Sequence, residues 1–199
     1  MCIRDSGCTG AFISRSAVGS HLEQLTAGHC QAIVHRSWLT EFSNQSVHSI
    51  GLVNRSFFGP SGDAGVIRVY NPSGWRARAW VYVRGGSATV RKESYPIWAA
   101  GTAIPGTRVC MSGGSNPSTS CGRVTKVGVS VSYSTAHVLV SGLSQATLCA
   151  RAGDSGSPVF AGHVAYGIVS GSGGDCLTWF QPVVPAARLL GTRLAVDRG

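Results

Sequence analysis

The sequence predicts an all-β protein made of two antiparallel six-stranded β-barrels and a short C-terminal helix. Glycine occupies 27 of 199 positions and charged residues make up only 13%. Valine and isoleucine are frequent, and no segment sustains the 3.6-residue apolar repeat of a helix. Short extended runs, separated by Gly, Pro, Asn and Asp turns, fall into two groups of about six, the pattern of two small barrels. A chain of 199 residues can bury a substantial core, as one domain or as two small ones sharing an interface.

In the first group, residues 8–16 (CTGAFISRS) alternate as a strand, and HLEQLTAGHC runs towards a turn ending in His29 and Cys30. SVHSIGLVNRSF, DAGVIRVYN and RARAWVYVRG follow as strands, with turns at FGPSGD and NPSG. The stretch GGSATVRKESYPIWAAGTAIPG, from Gly85, mixes extended pieces with Gly and Pro and is the expected connection. It divides the chain into lobes at 7–93 and 94–199. The second group is TRVCMSG, SCGRVTKVGVSVSY, HVLVSGL, SPVFAG, HVAYGIVSG and TWFQPV. PAARLLG is the helix candidate, started by Pro185 and stopped by Gly191. The opening MCIRDS, residues 1–6, has no strand or helix logic and is read as a non-native leader, which sets Cys2 aside.

The formal net charge of +9 raises the question of a nucleic-acid partner. The basic residues are scattered (Arg55, Arg68, Arg84, Arg108, Arg123, Arg193), with no run and no interleaved aromatics, so a solvated basic surface is expected instead. No apolar run is long enough to cross a membrane. No secretion signal is seen ahead of the domain, so any signal and pro-segment are expected to lie upstream of this chain. Among seven cysteines there is no CxxC or Cys/His metal spacing, so neither a metal nor another cofactor is expected. Cys8 with Cys30, Cys110 with Cys121, and Cys149 with Cys176 are sequential neighbours that could close local loops as disulfides. That would imply an oxidising, extracytoplasmic compartment. The pairing is the simplest of fifteen.

The octapeptide RAGDSGSP, residues 151–158, holds Ser155 between two glycines. Such a loop can arise for turn reasons alone. A serine becomes a useful nucleophile only when a base takes its proton and a third group orients that base. His21, His35, His48, His137 and His163 stand in ordinary strand or loop contexts. His29 differs, because Ala27 and Gly28 in LTAGHC allow a tight turn beside a candidate disulfide cysteine. Asp63, in SGDAGVIRV, stands at the mouth of an apolar strand, where an acid could reach under a histidine; an ordinary turn aspartate is the alternative.

LTAGHC, DAGVIRV and GDSGSP, in that order, resemble the His, Asp and Ser boxes of chymotrypsin-like serine proteases. CTGAF, CARAGDSGSP and YGIVSGSGGDC with FQPV are similar to the bacterial branch of streptogrisins and alpha-lytic protease, over about residues 7–196. The three cysteine pairs match that branch. The resemblance implies a chymotrypsin-like double barrel and a secreted endopeptidase acting on polypeptides and made with a pro-segment; a monomer is the default expectation. It makes His29 the general base and then acid, Asp63 its orienting carboxylate, and Ser155 the nucleophile. The backbone N–H groups of Gly153 and Ser155 become the oxyanion hole, and Gly156 allows the tight turn. Ser170 becomes the partner of Asp63, and Ser170, Gly171 and Ser172 the edge that pairs with substrate backbone.

Trypsin-like relatives carry an acid just before the cysteine upstream of the nucleophile; Thr147 to Cys149 supplies none. Glutamate-specific relatives carry a histidine where Val169 stands. Ala150, Val169, Ser172, Thr178 and the nearby Leu177 therefore imply a preference for apolar or aromatic residues before the cut, although Asp175 near the rim could attract a basic side chain. Three positions depart from the pattern. Ser157 replaces a glycine, and the loop from Cys176 to Phe180 is short. Met111 stands where an arginine usually partners the buried acid, here Asp154, so Arg123, Arg108 or Arg151 is expected to take its place. The alternatives are a catalytically inactive binding protein that uses its basic surface, and an ester hydrolase. GDSGSP is not the GxSxG elbow of α/β-hydrolases.

Overall fold

The computed structural model describes residues 7–197 except 20, 34–36, 42–46, 71–76, 84–92 and 117. Residues 1–6, expected to be a leader and including Cys2, the NPSG turn and the first part of the stretch from Gly85 lie outside the described residues.

Nearly all regular structure is extended. The first sheet contains β1 (Ile13–Ser16), β2 (Leu22–Thr26), β3 (Ser37–Glu41), β4 (Val47–Gly59), β5 (Gly62–Val69) and, from the far end of the chain, β15 (Thr192–Leu194). Their order is β15-β1-β2-β5-β4-β3. A two-stranded ribbon follows, β6 (Trp80–Val83) with β7 (Glu93–Pro96). The second sheet contains β8 (Ala99–Ala100), β9 (Arg108–Met111), β10 (Ser120–Tyr133), β11 (Val138–Ala146), β12 (Pro158–Ala161), β13 (Val164–Gly174) and β14 (Leu177–Pro182). Its order is β12-β9-β10-β11-β14-β13-β8, with a further β12–β13 pairing. Pairing is antiparallel except between β13 and β8.

The class is all-β, as composition and turn spacing imply. The first sheet has six strands. The second has seven, because the two-residue β8 adds itself to the edge of β13. Strands β3 and β15 were not anticipated, while β7 and β8 are extended pieces of the expected connection; all four are two to five residues long, too short to show a period-2 pattern. Two α-helices are assigned among the described residues, the one-turn α1 (Cys30–Ile33) and α2 (Val183–Leu189), besides a single 3₁₀ turn at Ser134–Ala136. Helix α2 begins two residues before Pro185. A proline is tolerated in the first turn because an N–H there has no partner within the helix. It stops at Gly191, whose φ of +60° ends the helical path.

Three apolar clusters hold the sheets. Ile50, Val53 and Ile67 pack with Trp38 and the Cys8–Cys30 pair inside the first. Val109, Met111, Val124, Leu148, Val169 and Phe180 fill the second. The third cluster is the seam: Phe12, Leu25 and Val66 from the first sheet meet Phe160 and Ile168 from the second, sealed by Val183 and Ala186 of α2. Arg55 reinforces this seam, donating from Nε to the Leu190 carbonyl at 2.7 Å and pairing with the buried Glu23 at 2.8 Å. The disulfides are Cys8–Cys30, Cys110–Cys121 and Cys149–Cys176. The second joins facing residues of β9 and β10. The first anchors the residue after His29, and the third ties the segment before the 151–158 loop to the β13–β14 connection.

Candidate active site

Asp63 is the second residue of β5, just past the tight β4–β5 connection and facing Phe58. Its carboxyl is fully buried and is met by three donors. His29 Nδ1 lies 2.7 Å from Oδ2, the Ser170 hydroxyl donates to Oδ2 at 2.6 Å, and the His29 backbone N–H donates to Oδ1 at 3.0 Å. Its own backbone N–H donates to the side-chain oxygen of Gln181 at 2.9 Å. A carboxylate only accepts, so the His29 proton sits on Nδ1 and leaves Nε2 with a lone pair. The imidazole is 19% exposed and its ring tilts against Phe58 at 5.4 Å. His29 also lies beside Cys8 and Cys30, but both of those sulfurs are spent on their disulfide.

Ser155 lines the same cleft as His29, with no hydrogen bond between the two among the described residues. Its loop is held from the N-terminal side. The Thr9 N–H donates to the Ser155 carbonyl at 2.7 Å, and the Thr9 hydroxyl donates to the Gly153 carbonyl at 2.8 Å. Gly153 and Gly156 have φ of +92° and +87°, a region that residues with a Cβ enter only at a cost. Within the loop, the N–H groups of Asp154, Gly156 and Ser157 are taken by backbone carbonyls. Those of Gly153 and Ser155 have no acceptor among the described residues, so two donors two residues apart stay available.

Asp154 corrects an expectation. It is fully buried, yet none of Arg108, Arg123 and Arg151 brings its guanidinium to it. The Ser115 N–H donates to Oδ1 and the Arg151 backbone N–H to Oδ2, both at 2.9 Å. Arg123 donates to the Gly106 carbonyl instead. Two backbone amides thus meet a charge expected to need a side-chain cation, while Met111 packs fully buried in the second cluster.

The cleft, of about 970 Å³, is lined by Ala150, Val169, Ser170, Gly171 and Ser172 from the expected set. Thr178 is not part of the lining. It is fully buried, with its hydroxyl donating to the Leu148 carbonyl at 2.5 Å and accepting from the Ala150 N–H at 3.3 Å. It therefore supports the wall from behind. Asp175 sits outside the cleft on the exposed β13–β14 connection. Sequence reasoning missed Phe58, Tyr133, Thr135, Ala136 and Val138, which also line the cleft. The last four come from the tip of the β10–β11 ribbon, where an exposed alternating strand carried no chemical signal. Gln181 was visible only as part of FQPV.

Tyr133 bonds Ser170 Oγ at 2.7 Å. Burial pushes its phenol up to about 12, with the Asp63 charge adding to the rise. The unfolded chain loses this proton first, near pH 10, so stability is expected to fall as pH rises from about 10 to about 12. Chemical denaturation across that range checks this: Tyr133→Phe should show a shallower decline, and an identical decline would contradict the assignment.

A family model described as Trypsin matches residues 2–186. "Serine protease 2" of Streptomyces fradiae is 37% identical over 172 residues, 86% of this chain and 90% of that protein. Streptogrisin-A of Streptomyces griseus is 36% identical, over 84% of this chain but only 50% of its own length, so the chain spans about half of that relative. A solved structure described as "A glutamic acid specific serine protease utilizes a novel histidine triad in substrate binding" superposes with a TM-score of 0.77 at 32% identity, covering 94% of this chain and 93% of that one.

Proposed function

This chain belongs to the trypsin family of chymotrypsin-like serine proteases, and on that premise we propose that it is a secreted, monomeric endopeptidase using His29, Asp63 and Ser155. In this reading Ser155 Oγ attacks the scissile carbonyl while His29 Nε2 takes its proton. Asp63 stabilises the imidazolium, and the N–H groups of Gly153 and Ser155 receive the oxyanion. His29 then passes the proton to the leaving amine, and water, activated the same way, releases the acyl group from Ser155. The observation that carries the reading is the 2.7 Å His29–Asp63 contact at the edge of a cleft that Ser155 also lines.

Ala150, Val169 and Gly171 support an apolar or aromatic residue before the cut. His29 is the only histidine among the described cleft residues, which speaks against a site that binds substrate through several histidines. Arg151 is the one formally charged residue among them. The three disulfides support an oxidising, extracellular setting, and an upstream pro-segment is expected to assist folding.

A fluorophosphonate probe is expected to label folded wild-type protein and not Ser155→Ala, and a peptide library should show cleavage after large apolar residues. Folded protein that takes no label and cleaves no peptide would favour the inactive binding-protein reading. Cleavage after acidic residues would overturn the pocket reading and point to Arg151, while leaving the catalytic one intact.

A further inference from the structure

We propose that Arg15, Arg78 and Arg193 form a binding site for phosphate oxyanions, free or strung along a polyphosphate chain. The three are far apart in the sequence, and the fold gathers them in one pocket of about 530 Å³. Among the described residues, this pocket shares no lining residue with the cleft that holds His29 and Ser155. The site is therefore separate from the protease reading and does not depend on it.

The floor is the outer face of the β1–β15 pair. Arg15 stands directly opposite Arg193 in that antiparallel register. Side chains alternate along a strand, so Ser14, Ser16 and Thr192 are buried on one face while both arginines are exposed on the other. Like charges placed directly opposite each other destabilise a sheet. Arg78 reaches the same pocket from the segment that leads into β6. Its guanidinium lies over the Trp80 ring, 5.2 Å from the centre.

Asp197 is the one acid among the described lining residues, and its Oδ2 already accepts from the Trp80 indole N–H. Among the described residues no carboxylate pairs with any of the three arginines. Three cations against one anion leave an excess of two positive charges in a single concavity. A phosphate group carries about two negative charges at neutral pH, whereas a carboxylate carries one. Guanidinium forks match phosphate oxygens with paired hydrogen bonds. An anion between Arg15 and Arg193 thus replaces their repulsion with charge-assisted contacts.

The test uses the folded full chain at fixed ionic strength, with sodium chloride making up the balance, because screening alone alters exposed charges. Inorganic phosphate is expected to raise the thermal unfolding midpoint saturably, and calorimetry gives its affinity. Arg15→Gln and Arg193→Gln should each weaken phosphate binding roughly 10-fold, and the two together should abolish it. Lys126→Gln, on the exposed face of β10, should leave it unchanged. Polyphosphate that binds more than about 100-fold tighter than phosphate, and loses this in the same variants, would identify the chain as the occupant. Comparable affinities would identify the free ion. An equal rise in midpoint with acetate, or unchanged phosphate affinity in the double variant, would overturn the proposal. Binding of poly-glutamate without binding of phosphate would assign the pocket to acidic peptides and overturn it as well. None of these readouts needs turnover, so a failure of fluorophosphonate labelling would sink the protease reading and leave this test intact.

Discussion

Asp63→Asn is expected to lower kcat by roughly 10⁴-fold while leaving KM for short peptides within a few-fold, as is typical of triads that lose this charge. The substitution keeps the shape but breaks the donor pattern. Oδ2 accepts from His29 Nδ1 and from Ser170, and Oδ1 accepts from the His29 backbone N–H. An asparagine has one oxygen and one NH₂ for these two places. If the oxygen takes the Oδ2 place, the NH₂ points at the His29 N–H, donor against donor. If it flips, the NH₂ faces Nδ1, the imidazole proton moves to Nε2, and Ser155 loses its base. In either arrangement the imidazolium formed during attack lacks a buried counter-charge. Steady-state kinetics on folded, thermally characterised protein checks this, and a loss below tenfold would remove Asp63 from the mechanism.

Gly153→Ala is expected to cost 10²–10³-fold in kcat, the typical loss of one oxyanion donor, together with about 1–3 kcal/mol of stability from backbone strain. A residue at φ +92° resists a side chain on conformational grounds alone. Here the added Cβ would also run into the Ser115 hydroxyl. Ser115 cannot step aside freely, because its N–H is one of the two donors to the buried Asp154. The alanine is therefore expected either to rotate the 153–155 backbone away from the cleft or to break the Asp154 contact. Thermal unfolding and kcat measured on Gly153→Ala, and again with Ser115→Gly added, separate the two causes. The double variant should recover part of the stability and little of the rate. Full activity in the single variant would show that the Gly153 N–H does not act on the reaction.

Much of this arrangement was legible in the residues because its parts are local. The glycines flanking Ser155 mark a backbone that needs φ above zero, and 153 and 156 have it. The cysteine pairs were neighbours in sequence, and the simplest pairing is the one formed. The apolar run in DAGVIRV put Asp63 at the mouth of a strand, and that strand is buried over its first six residues. What was missed depends on which strands meet. Arginine was expected beside Asp154 by charge balance, but the segment carrying Ser115 folds over the loop and supplies a backbone amide, which no residue pattern announces. Thr178 was expected in the pocket wall through the resemblance to known proteases. In β14 alternate side chains face opposite ways, and its burial with the Leu148 and Ala150 contacts puts it behind the wall.

The all-β class, the disulfide pairs and the chemistry available to His29, Asp63 and Ser155 follow from the sequence, because backbone propensity, turn geometry and side-chain type act over a few residues. The placement of Gln181 and Ser170 against Asp63, and of Tyr133 against Ser170, was decided only by the tertiary structure. These contacts span 118, 107 and 37 residues. They exist because a seam of apolar side chains, sealed by α2, brings the first sheet against the second. Burial drives that docking without regard to which polar groups it carries along. Whether those groups then find donors and acceptors is a matter of register and angle, and short-range sequence pattern does not encode it.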